Sequence, residues 1–122
     1  MVWGAMTALD AIALNEPKAV FGMLSKILAT ADAGSVITRD HAFGILTKLG
    51  TLKQYSESCF PLLVEQLMSC PNNQFPMYAE KSLAIATDQN KDRLKKVMNA
   101  RIENLEKNSQ KKRILKVLKS LK

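Results

Sequence analysis

An Ala-x-x-x-Leu pair recurs along this chain at one constant interval: Ala5 with Leu9, Ala42 with Leu46 and Ala79 with Leu83 stand 37 residues apart. A fixed period of that length holds two helices and their turns. Units of this kind stack on their neighbours because none can bury its apolar face alone. The repeat therefore predicts an all-α chain of stacked helical hairpins, and it speaks of architecture rather than of chemistry.

The segments follow in order. Val2 to Leu14 places Trp3, Ala5, Met6, Leu9, Ile12 and Ala13 at three- and four-residue steps, which is a helical period. Asn15, Glu16 and Pro17 end it. The chain begins inside this helix with no capping residue ahead of it, as expected of a C-terminal fragment of a longer stack. Trp3 and Met6 would then mark the N-terminal helix as a surface for self-association. A second helix is expected from Pro17, whose missing N–H costs nothing in a first turn. It runs through Val20, Met23, Leu24, Ile27 and Leu28 to a turn at Asp32, Ala33 and Gly34. Ser35 is placed to cap a third helix that buries Val36, Ala42, Ile45, Leu46 and Leu49, and Gly50 to end it.

Lys53 to Ser69 repeats the second segment at an offset of 39 residues, Phe21 mapping to Phe60, Leu24 to Leu63 and Leu28 to Leu67. Pro61 lies within it, so a kink or a late start is expected there. Gln74 to Thr87 is the third copy, with Tyr78, Ala79, Leu83 and Ala86 turned inward. Asp88 is expected to cap a helix over Lys91 to Glu106 that carries Leu94, Val97, Met98, Ile102 and Leu105. Ser109 should cap a last helix, Lys111 to Leu121, carrying Ile114, Leu118 and Leu121. No stretch alternates polar and apolar residues as a strand does.

Together these segments resemble HEAT repeats. The first helix of such a repeat opens P-x-x-V and continues with spaced leucines, as Pro17, Val20, Leu24 and Leu28 do. The second reads V-x-x-R-x-x-A with a closing L-x-x-L, as Val36, Arg39, Ala42, Leu46 and Leu49 do. The fourth segment departs in having proline mid-helix at Pro61, and the other second-type helices lack an arginine matching Arg39. The resemblance implies a right-handed α-solenoid of about three and a half helical hairpins, or about seven helices, forming a single repeat domain over residues 1–122. It implies a concave face that binds a partner, usually protein and sometimes nucleic acid, and no catalysis. DNA glycosylases for alkylated bases that share HEAT-like architecture use tryptophans and a catalytic aspartate on that face. Here Trp3 is the one tryptophan and it sits on the incomplete first helix.

Charge is divided sharply along the chain. Residues 1–90 hold 6 Lys+Arg against 8 Asp+Glu, net −2, while residues 91–122 hold 12 against 3, net +9. Arg93, Lys95, Lys96, Lys112, Arg113, Lys116 and Lys119 form a candidate ridge for an anionic partner, a nucleic acid or an acidic protein; Arg39 and Lys48 are weaker surface candidates. Lys112, Lys116 and Lys119 recur at helical steps opposite Ile114, Val117, Leu118 and Leu121. Such a ridge tracks phosphates with a salt-dependent affinity. Equally, residues 91–122 make a basic capping pair whose charged outer face stops the stack from continuing. Few aromatics accompany the ridge, so stacking on single strands has little support.

Catalytic, cofactor and metal chemistry find little purchase. His41 is the only histidine, beside Asp40, and a nucleophilic reading would pair it with Cys59; the alternative is a cap-region histidine and a buried core thiol. One histidine and two cysteines, Cys59 and Cys70, give no metal-ligand spacing. The five glycines are scattered and form no phosphate loop. Glu103 and Glu106 sit one turn apart among lysines as ion-pair partners. Two cysteines without a basic-then-apolar leader point to a reducing, cytoplasmic setting. No apolar run approaches the roughly 18 residues of a membrane span, so no membrane partner is expected.

Overall fold

The computed structural model describes residues 3–33 and 35–121, with side chains from residue 5 onward. The turn expected at Gly34 and the side chain of Trp3 lie outside the described residues. Among those described, the chain is all-helical: α1 (Trp3–Ile12), α2 (Pro17–Gly22), α3 (Leu24–Ala33), α4 (Val36–Gly50), α5 (Ser56–Ser69), α6 (Phe75–Ser82), α7 (Lys91–Ile102) and α8 (Asn108–Ser120). A 3₁₀ turn follows α6 at Leu83–Ile85. No helix among these residues is long and apolar enough to cross a membrane.

Eight helices stand where about seven were expected, because the segment after Pro17 is divided at Met23. Glycine is the poorest ordinary helix former. At Gly22 the backbone tightens, and Met23 N–H donates to Val20 O at 3.0 Å, an i−3 bond, before α3 resumes. Pro17 does occupy the first turn of α2.

The chain divides into two compact units, Met1–Phe60 and Pro61–Lys122. The division falls inside α5 at Pro61, where the helical bond to the Glu57 carbonyl is missing because proline has no N–H.

In the first unit α4 is the central element, packed against α1 and α3. Ser35 caps it as expected, its hydroxyl accepting from Thr38 N–H at 3.4 Å. Ala42, Ile45, Leu46 and Leu49 are fully buried, joined by Phe43. Val36 departs from expectation and is 46% exposed. At 100° per residue it falls off the stripe through Ala42, and Thr38, one turn before Ala42, takes the inward position. Gly50 lies within α4 rather than beyond it.

The inward face of α1 is Met6 and Asp10, continued by Ala13 in the turn just beyond the helix, whereas Ala5 is exposed and Leu9 half-buried. The repeated Ala-Leu pair therefore packs fully at Ala42 and Leu46 alone; Ala79 is buried and Leu83 half-buried. Met6 is fully covered, so it offers no surface for self-association.

The second unit gathers Phe75, Tyr78, Ala79, Leu94, Met98, Ile114 and Val117 into its core, with α8 packed against both α6 and α7. Its caps differ from those expected. Thr87 N–H donates to Asn90 Oδ1 at 2.7 Å and Asn90 N–H to Thr87 Oγ1 at 3.2 Å. That reciprocal pair closes the turn ahead of α7, whose N-cap is Asn90 rather than Asp88 and makes no side-chain cap bond. Helix α8 begins at Asn108, which puts Ser109 inside the first turn rather than ahead of it.

Candidate functional site

The basic cluster is carried by α7 and α8 in the second unit. On α8, Ile114, Val117 and Leu121 turn inward, which sends Lys112, Arg113, Lys116 and Lys119 outward. On α7, Leu94, Val97 and Met98 turn inward, leaving Arg93 and Lys96 exposed and Lys95 half-buried. The seven predicted ridge residues thus share two packed helices, but they are not equivalent.

Arg113 is engaged with Glu80 of α6, Nε donating at 3.0 Å and Nη2 at 2.5 Å. These bonds, ahead of the attraction of Arg113 and Lys116, hold the Glu80 carboxyl below its ordinary value of 4.5. The Arg113 guanidinium is pushed upward by the same carboxylate. Lys95 lies 3.8 Å from Asp92. Arg93, Lys96, Lys112 and Lys119 make no ion pair among the described residues, and Lys116 acts on Glu80 only through its field. A lowered carboxyl contributes stability that is complete above its unfolded value and disappears as pH falls through the folded one. Urea titrations of parent and Glu80→Gln protein should therefore differ at neutral pH and converge below pH 4.5. Exposure of both partners keeps the difference under about 1 kcal/mol.

Between α7 and α8 lies an open groove of about 410 Å³, lined by Lys95, Asn99, Leu115, Leu118 and Lys119. Leu115 is 57% exposed and forms an apolar floor between the two lysines.

Arg101, from the same charge run, serves the fold. Its Nη1 donates to Leu67 O in the last turn of α5 at 2.8 Å and meets Cys70 Sγ at 3.2 Å, while Nη2 donates to Asn72 Oδ1 at 2.7 Å. The guanidinium lies over the Phe75 ring, 4.4 Å from its centroid. A cation that closes a helix C-terminus satisfies carbonyls that have no helical partner.

Lys48, a weaker surface candidate, is likewise committed in the first unit. Its ammonium donates to Asp10 Oδ1 at 2.8 Å and to Asp10 O at 2.6 Å. His41 Nδ1 meets the other carboxylate oxygen at 2.7 Å, and its Nε2 lies 3.3 Å from Thr7 Oγ1. Carboxylate, imidazole and hydroxyl stand in the order of a nucleophilic relay. Here, however, Lys48 shares the carboxylate charge, and the hydroxyl projects from mid-helix rather than from an elbow beside free N–H groups. The network ties α1 to α4. Gly44 makes the approach possible: a Cβ there would stand 2.9 Å from Asp10 Oδ1.

Both ring nitrogens of His41 are thus occupied by α1, and Cys59 is not among its partners. Burial pushes the Cys59 thiol up from 9.0 to about 11, which removes the thiolate a nucleophile needs. Iodoacetamide at pH 8 is expected to label native Cys59 far more slowly than an unfolded-chain thiol; equal rates would restore the nucleophile. No group of three or more potential metal-ligating side chains occurs among the described residues.

Three residues that matter here carried no weight in the sequence reading: Asp10, Arg101 as a clamp, and Leu115. Asp10 did leave a signal, being the one charge on the stripe of Met6 and Ala13. No protein-family model, curated protein or solved structure matches this chain.

Proposed function

We propose that this chain is a non-catalytic HEAT-like α-solenoid scaffold that binds a partner protein through exposed helix faces, with residues 91–122 as its basic C-terminal pair. The observation that carries the reading is the division of the cations. Lys48, Arg101 and Arg113 are engaged within their units, whereas Arg93, Lys96, Lys112 and Lys119 face solvent without an ion pair among the described residues. Desolvated anionic groups of a partner are what such cations complement. The constant 37-residue spacing, Pro17 in a first turn, the Ser35 cap and the full burial of Ala42 and Leu46 support the repeat architecture.

A second reading, a helical repeat that binds nucleic acid, is favoured by the net +9 of residues 91–122. Substituting Lys112, Lys116 and Lys119 together by alanine removes exposed side chains and should leave the fold intact. Affinity capture from nuclease-treated lysate with parent and triple variant tests the first reading, which expects a protein retained by the parent, released by salt and lost from the variant. A duplex titration tests the second: a log K that falls with log salt by about 0.9 per phosphate contacted identifies nucleic acid. Equal capture by both chains sinks the protein-binding role of the ridge.

A further inference from the structure

The geometry points to the groove between α7 and α8 as the docking site for an acidic amphipathic helix of a partner protein, an inference that rests on the scaffold reading above. Two features select this occupant. The floor is apolar, with Leu115 57% exposed and Leu118 half-buried beside it. The flanks are cationic, with Lys119 on α8 making no ion pair among the described residues and Lys95 on α7 held only by a long 3.8 Å contact to exposed Asp92, and Asn99 adds an amide that donates or accepts. Along α8 the positive edge continues through Lys116 and Lys112, at three- and four-residue steps from Lys119. A helix that lays leucine-like side chains on Leu115 and Leu118 brings residues three and four positions away over those lysines, and carboxylates there complete both contacts.

Charge complementarity decides against other occupants. A basic segment would meet the net positive charge of residues 91–122, which Glu80 and Asp88 offset only in part. A phosphate backbone would satisfy the lysines but would place ionic groups against a leucine floor, which gives up the desolvation of both. Phe75 and Tyr78 are fully buried, so neither offers a stacking surface to bases beside the groove. The groove is open rather than enclosed, which suits side chains laid across it better than a small molecule that must be buried on most sides.

Fluorescence anisotropy of a labelled Leu/Glu amphipathic peptide against the full chain tests the site, with a permuted peptide of the same composition as control. The expected result is saturable binding that is at least about tenfold weaker for the permuted peptide, for Leu115→Glu and for Lys95→Glu/Lys119→Glu, a loss of about 1.4 kcal/mol or more. Circular dichroism should be unchanged for Leu115→Glu, because Leu115 is exposed, and it is read alongside binding for Lys95→Glu/Lys119→Glu, since Lys95 is half-buried and 3.8 Å from Asp92. The Lys95→Glu/Lys119→Glu chain should in turn bind a Leu/Lys peptide that the parent rejects. Equal affinity for the permuted peptide, or indifference to Leu115→Glu, overturns the groove. If Lys112→Ala/Lys116→Ala/Lys119→Ala still abolishes that binding, the anionic-partner reading survives the groove's failure. Self-association of the parent that Leu115→Glu abolishes would assign the groove to a second copy and overturn the acidic helix. Failure of both peptides, together with equal lysate capture by parent and triple variant, sinks both readings.

Discussion

Arg101→Ala is expected to lower the stability of the Pro61–Lys122 unit by about 3 kcal/mol. The guanidinium donates to the Leu67 carbonyl and to Asn72, touches Cys70 Sγ and covers Phe75. Its loss leaves the Leu67 carbonyl of α5 with only the weak Cys70 thiol as donor, toward the cost of about 1–3 kcal/mol for an unsatisfied group. The lost contact with the ring adds about 0.5–1 kcal/mol. Arg101→Lys restores a charge but neither the planar fork nor the stacked plate, so it should recover less than half of the loss. Urea denaturation followed by circular dichroism measures both variants. A cost for Arg101→Ala under about 1 kcal/mol, the range of an exposed pair, would make the clamp a surface contact only.

Gly44→Ala should destabilise the Met1–Phe60 unit by about 2 kcal/mol, the middle of the overpacking range. The sign is the informative part, since alanine is otherwise the better helix former by about 1 kcal/mol. The added Cβ would stand 2.9 Å from Asp10 Oδ1 and 3.0 Å from Oδ2. A flexible side chain would swing aside, but this carboxylate is held on one oxygen by His41 and on the other by Lys48. Asp10→Ala removes the obstacle along with the ion pairs. The two substitutions together should therefore cost at least about 1 kcal/mol less than their separate costs imply. Additive costs in a double-mutant cycle would show that the carboxylate does not set the approach of α1 to α4.

Much of this protein was legible as period. Helix positions follow from apolar residues at three- and four-residue steps, and those steps depend only on neighbours along the chain. The same holds for Ser35 as a cap and Pro17 as a first-turn residue. The departures from that pattern have local causes too. Asp88 is an acceptable capping side chain, but the turn closed by Thr87 and Asn90 places it two residues ahead of the N-cap, which is Asn90. Gly22 broke a stripe that period alone would have carried through, because propensity acts on the backbone while the stripe reports only burial.

The candidate surface was half legible. All seven cations were visible as a charge run, and their placement on α7 and α8 followed from the apolar residues opposite them. Which of them were free was not visible. Arg113 meets Glu80 across 33 residues, Arg101 meets Asn72 across 29, and Lys48 meets Asp10 across 38. Leu115 looks like one more apolar residue of α8, and only the packing of α7 against that helix leaves it uncovered beside Lys95.

By itself, then, the sequence determined an all-helical chain, the central residues of its buried stripes and the end that carries its positive charge, since each of these is a property of residues within a few turns of one another. Val36, Ala5, Ile12 and Met23, at the stripe margins, stayed exposed. The tertiary structure decided which charges the fold consumes, that Asp10 and Gly44 join two helices, and that an apolar floor opens between two lysines. The first two depend on side chains about thirty residues or more apart meeting within about 3 Å, the scale of a hydrogen bond, the third on the packing of one helix against another, and no pattern of near neighbours encodes either.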